Sequence, residues 1–374
     1  MPELLQLLRQ LDGACGPLLR AAASQGQADL ITVLLRLTAS PQQLALQADE
    51  ESGETALVAA VRNRQPAAAE ALLACVPDQQ LAVTVGSSGS TPLHLAVSSN
   101  SLVVAHALLN HGSQEQILRL DRQGNTPLQH ALKFKACSKA MVQLLLQHHP
   151  EQQVMAENDD KQIPISWAAR HNWVGVMRLL LAHSPQNQVL HRDVRGNTAL
   201  AVATWFGCAQ AVELLLVYSP DLQVMQEFEH GRSALMVAAT QGDKEVVRAL
   251  LTHCPKEQVL HALPNGTTPP MQAAAQGNAA ALQLMLPYLM DSSVHALNAA
   301  LAAIKTERLT KGHKRCCLLL VAHGASLAVL PEGQRKRIKA ALRDRRLQLP
   351  NSMRQDVRDA LVCLATSVGT QTAP

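Results

Sequence analysis

The chain repeats itself, and a period is a tighter constraint on fold than any composition. Take Thr198 as position zero of a repeat. Related starts then fall at Pro17, Thr55, Thr91, Thr126, Ile163, Ser233 and Thr268, with successive spacings of 38, 36, 35, 37, 35, 35 and 35 residues. Five positions after every start stands an alanine: Ala22, Ala60, Ala96, Ala131, Ala168, Ala203, Ala238 and Ala273. Two positions after it the residue is aliphatic from Leu19 to Leu235, and Pro270 in the last repeat. At nine positions come Gly26, Asn100, Asn172, Gly207, Gly242 or Gly277, residues that tolerate the left-handed conformation closing a short helix. Arg64 and Lys135 depart from that rule. A turn glycine precedes most starts by two residues, with Lys161 the exception, and apolar pairs such as Leu108-Leu109 and Leu215-Leu216 mark the end of a second helix.

These marks describe a turn, a short helix, a tight break, a second helix and a loop. One such helix pair cannot bury its apolar face, so the repeats must stack, each covering the next. The alanine fits where two helix layers approach too closely for a larger side chain. The stretch "TPLHLAVSSNSLVVAHALLNHG", 91–112, and the stretch "SALMVAATQGDKEVVRALL", 233–251, resemble the ankyrin repeat, and the register holds over eight copies, residues 17–290. The resemblance implies an all-α, ankyrin-type helical repeat solenoid whose concave groove is the partner surface.

Most repeats exceed the ~33 residues usual for that family. The surplus lies in recurring loops, "SPQNQVL" (184–190), "SPDLQVM" (219–225) and "CPKEQVL" (254–260), where serine before proline predicts an extra helical turn. Residues 1–16 read as an N-terminal capping segment, 291–330 as a degenerate ninth repeat with a basic loop, and 331–374 as a basic helical cap and tail. Two amphipathic helices, 332–348 and 353–365, are expected in that tail.

Catalysis finds little support. No P-loop or dinucleotide fingerprint is present, and "GSSGS" (86–90) lacks the third glycine and strand of a serine elbow. His111, His148, His183, His253 and His323 occupy one equivalent place in successive repeats. Neighbouring layers stand about 8–10 Å apart, whereas zinc ligands converge at about 2.0–2.1 Å from one ion. A shared metal is therefore not expected, nor a cofactor, and the chain reads as no enzyme. The eight cysteines form no C-x-x-C pair, which reads as reduced thiols and a cytoplasmic setting. No apolar run approaches the ~18 residues of a membrane span.

Aromatics supply only 2% of the chain, yet four of the eight fall at positions seven to ten of three consecutive repeats: Phe134, Trp173, Trp205 and Phe206. His171 stands among them, Phe228 follows in the next loop, and Trp167, at position four, reads as core. Clustered aromatics of this kind mark interaction sites. Lys133, Lys135, Arg170, Arg192 and Arg195 would form a basic rim, so the expected partner is a protein segment with apolar and acidic residues, bound by a monomeric scaffold or adaptor in its concave groove. A bacterial effector acting on host proteins through the same repeats is one alternative.

The other alternative is the basic C-terminal region, where Arg335, Lys336, Arg337, Lys339, Arg343, Arg345 and Arg346 could meet nucleic acid or an anionic membrane. No aromatic side chain lies among them for stacking on bases, which argues for a solvated cap instead.

Overall fold

A computed structural model describes residues 12–75, 77–111, 114–134, 138–228, 231–289, 293–304 and 309–342. It divides into two compact halves, Met1–Val194 and Arg195–Pro374. The fold is all-α: among the described residues there is no strand, only the isolated bridges Val85–Ser90 and Phe228–Arg232.

In the N-terminal half the helix pairs are Asp12–Ser24 with Ala28–Leu37, Ala56–Arg62 with Pro66–Leu73, Pro92–Ser98 with Leu102–His111, Pro127–Lys133 with Lys139–Leu145, and Pro164–Arg170 with Val174–Leu180. In the C-terminal half they are Ala199–Trp205 with Ala209–Leu215, Ala234–Gln241 with Lys244–Leu250, Pro269–Gln276 with Ala279–Leu289, and Ser293–Ala302 with Lys311–Ala322. The helix Glu332–Leu342 follows. Within each half, first helices pack on first helices and second on second. All eight repeat alanines are buried at the first-helix contacts, where a larger side chain would push the layers apart.

The starts of the first helices follow from their residues. Thr55, Thr91, Thr126, Thr198 and Ser233 are N-caps, each accepting from the backbone N–H three residues on. Such a cap contributes about 1 kcal/mol. The break between the helices is left-handed even where the sequence is unsuited to it. Arg64 has φ +56° and Lys161, in the turn, +54°, so the stack imposes a conformation that L-residues resist. Lys135 lies outside the described residues.

The extra turns in the loops are real helices: Pro41–Leu46, Pro77–Leu81, Pro150–Met155, Pro185–Leu190, Pro220–Val224 and Pro255–Leu260, with a 3₁₀ turn at Gln114–Leu118. Serine is not their side-chain cap, however. Ser184 and Ser219, like His149 and Cys254 at the same place, make no capping bond and sit at φ +40° to +46°. They take the backbone conformation usually left to glycine, while the following proline fixes the first helical φ.

A glutamine three residues after that proline docks each short helix. Nε2 of Gln80, Gln153, Gln188, Gln223 and Gln258 donates to the carbonyl eight residues back, Leu72, Leu145, Leu180, Leu215 and Leu250, at 2.7–2.8 Å. Gln116 does the same to Leu108 from the 3₁₀ turn. A carbonyl orphaned at the end of the second helix is thereby satisfied. The first repeat has Leu44 at that place.

Candidate functional site

The residues expected at the partner surface fall into two sets, one in each half. In the N-terminal half, Phe134 is the C-cap of Pro127–Lys133, its N–H donating to His130 O at 3.4 Å. Its side chain is 59% exposed.

Beside it the Lys133 ammonium lies 5.8 Å from the Phe134 ring centre and 5.5 Å from that of Trp167, while the Arg170 guanidinium stands 5.7 Å from the same indole. Such contacts are worth about 0.5–1 kcal/mol where exposed and more where water is excluded. Trp167 is 9% exposed, and its buried Nε1–H meets no acceptor, so only a ring face serves the surface. His171 Nε2 donates to Lys133 O at 3.4 Å, tying neighbouring repeats together, and its ring stands 5.9 Å from that of the half-buried Trp173. The structure therefore brings Lys133, Phe134, Trp167, Arg170, His171 and Trp173 onto one edge.

Polar groups beneath that edge hold it. His130 packs its ring 4.9 Å from Phe134 and hydrogen-bonds through Nδ1 to Asp121 at 3.0 Å. Asp121 also accepts from the backbone N–H of Gln123 and Asn125 and from Asn125 Nδ2. Burial raises its pKa, but these bonds together outweigh burial and hold the carboxyl below the usual range. On the neighbouring helix His94 accepts the Thr91 N–H at Nδ1 and donates from Nε2 to Asn125 O at 3.0 Å. Burial is the main reason its pKa falls to about 4, so it stays neutral with the proton on Nε2. None of these four was read from the sequence as part of the site. A hint was available in the "TPLH" and "TPLQH" starts, which place His94 and Gln129 at the same position.

In the C-terminal half Phe206 repeats the arrangement. It is the C-cap of Ala199–Trp205 and 51% exposed. Trp205 is half-buried, with the Arg232 guanidinium 6.0 Å from its ring and Gln241 Nε2 donating to its carbonyl at 2.9 Å. Arg195 is exposed. Phe228 is a correction: it is 4% exposed, so it belongs to the packed interior rather than to the aromatic stripe. Its backbone pairs with Arg232 in an isolated bridge.

The basic C-terminal set also needs revision. Arg335 donates to Ala328 O and Leu330 O, at 2.9 and 3.0 Å, and thus ties its helix to the preceding 3₁₀ turn. Lys336 pairs with Glu332 at 2.8 Å, and Arg337 is exposed while Lys339 is half-buried. Arg343, Arg345, Arg346 and the second amphipathic helix lie outside the described residues. No described helix is long and apolar enough to cross a membrane, and no described group of three or more His, Cys, Asp or Glu could hold a metal ion.

Comparison with known proteins agrees with this architecture. No curated protein matches the chain. Among solved structures it is similar to the ankyrin repeat domain of Bcl-3, described as a unique member of the IkappaB protein family, with 23% identity and a TM-score of 0.53 over 62% of this chain and 97% of that one. A likeness at that identity speaks for the fold alone. The family model for ankyrin repeats (3 copies) matches residues 77–156, 134–226, 210–292 and 235–330. Repeats of this kind are generally protein–protein interaction modules. The chain belongs to the ankyrin repeat family.

Proposed function

We propose that the chain is a non-catalytic scaffold or adaptor that binds a partner protein through the aromatic edge of its first helices. The observation that carries this reading is the exposure of Phe134 and Phe206 at equivalent C-cap positions. A large ring held in water by a rigid helix end is costly unless another surface covers it, and burying one contributes about 1.5–3 kcal/mol. His171 with Trp173 in one half, and Trp205 with Arg195 in the other, extend each aromatic set. Because both sets sit on helix termini rather than long loops, the surface is preformed and binding requires little backbone rearrangement.

The test is affinity capture from lysate with the intact chain beside a Phe134→Ala/Phe206→Ala variant of unchanged helix content. Loss of one captured protein in the variant supports the reading; identical capture by both overturns it.

A further inference from the structure

The edge carries charge of both signs, Lys133 and Arg170 beside the exposed Asp159 and Asp160 of the adjoining turn, so net charge does not decide what it accepts. A directed group does. His130 stands at position four of its repeat, where Trp167 stands in the next and the half-buried Leu95 in the one before. Its ring therefore lies on the face of the first helices that bears the edge. Asp121 fixes where that ring holds its proton. Against the effect of burial, hydrogen bonds hold this carboxyl below the usual range, so it is ionised and has no proton to give. Nδ1 of His130 must then donate to it across 3.0 Å. In the neutral ring Nε2 is the bare nitrogen, and the carboxylate behind it makes it a stronger acceptor. Nε2 makes no hydrogen bond among the described residues and is not sealed from solvent. Phe134, 59% exposed, packs its ring 4.9 Å from that of His130, which sets an apolar surface beside the open nitrogen.

We propose that His130 Nε2 accepts a hydrogen bond from a hydroxyl that the partner carries on a large apolar group, a tyrosine whose ring covers Phe134. This rests on the reading of the edge as a partner surface and adds the chemistry of the bound residue. A tyrosine joins the two features that the site offers side by side, an apolar face and one polar tip. A lysine or arginine would bring its charge toward the Lys133 ammonium, 5.8 Å from the Phe134 ring centre, and an ionised aspartate or glutamate has no proton for Nε2. A phenylalanine would cover Phe134 but leave Nε2 out of water without a donor.

The test pans a phage-displayed library of random linear peptides on the full chain, on Phe134→Ala and on His130→Asn, at mildly alkaline pH. His130→Asn offers Asp121 an amide N–H near the place of Nδ1 and removes Nε2; unchanged helix content is checked first. On the intact chain the enriched peptides carry tyrosine, and their recovery drops at least about tenfold on Phe134→Ala. Replacing that tyrosine by phenylalanine in the peptide lowers binding to the intact chain at least about threefold. On His130→Asn the same replacement makes no difference.

Peptides that need Phe134 but carry no tyrosine, or bind the intact chain equally well with phenylalanine in its place, overturn the assignment to His130 and leave the partner surface standing. A hydroxyl whose loss costs as much on His130→Asn as on the intact chain does the same. Peptides indifferent to Phe134, or a library yielding none that depend on it, count against the partner surface and the assignment together.

Discussion

His94 offers the sharpest energetic test of how the N-terminal stack is held. Its neutral ring does two jobs at once, accepting from the Thr91 N–H and donating to Asn125 O in the next repeat. Protonation at Nδ1 would place a proton against the N–H that the nitrogen now accepts, inside a site closed to water. The gap between the pKa of about 4 in the fold and 6.5 in the unfolded chain corresponds, at about 1.4 kcal/mol per pH unit, to about 3 kcal/mol. The sign follows from linkage. Between pH 6.5 and 4 the unfolded chain takes up a proton that the folded chain refuses, so stability is full above pH 6.5 and falls as pH drops toward 4.

Gln129 shows how to remove the titration while keeping the bonds. At the same place in the next repeat its Oε1 accepts from Thr126 N, and its Nε2 donates to Ala156 O and Gln162 O. His94→Gln should therefore fold normally and lose this acid sensitivity. Urea unfolding of both proteins, followed by circular dichroism from pH 7.5 to 4.5, should give stability curves that converge or cross as pH falls, the difference changing by about 2–3 kcal/mol. Other groups titrate in both proteins and cancel in that difference. Parallel curves would refute the claim that His94 is held neutral by the stack.

Three further outcomes are expected. Gly277 and Gly266 have nearly the same φ, +76° and +78°, but a Cβ on Gly277 would meet the His313 backbone N at 2.9 Å whereas one on Gly266 would meet nothing within 4 Å. Gly266→Ala should cost only the left-handed penalty, roughly 1–2 kcal/mol, and Gly277→Ala at least about 1 kcal/mol more, as read from thermal midpoints. Gln188→Met removes the donor to Leu180 O and should cost roughly 1–3 kcal/mol; hydrogen exchange should show the loss around Pro185–Leu190. Phe134→Ala and Phe206→Ala, by contrast, should each leave stability within about 0.5 kcal/mol, because each residue is more than half exposed. A large loss of stability in either would mean that the rings are packing residues.

The repeat itself was legible because packing enforces it. Ala168 or Ala203 cannot be enlarged without prising layers apart, so the mark survives in every copy. The left-handed breaks were only partly legible, since Arg64 and Lys161 show that the stack can impose a conformation which local preference opposes. The docking glutamines were on view in "SPQNQVL" and "CPKEQVL", yet a polar residue at a buried place carries no sign of which carbonyl it serves. At the candidate site, exposure was the illegible quantity. Phe134, Phe206 and Phe228 are the same residue type, but two close first helices and are exposed while one stands in a backbone bridge and is buried. Burial of a ring at such a turn has no signature in a single sequence. Arg335 was misread for a similar reason, because a guanidinium that ties up backbone carbonyls is identical in sequence to one that faces water.

The central claim is that the aromatic edge meets a protein. The most direct measurement replaces Phe134 or Phe206 with a photo-crosslinking phenylalanine in the full chain, with Val33 and Val103, exposed on second helices, as controls. Irradiation in lysate followed by mass spectrometry should join a protein to position 134, and a protein to position 206, that neither control captures. The same protein at all four positions, or at the controls alone, would contradict it.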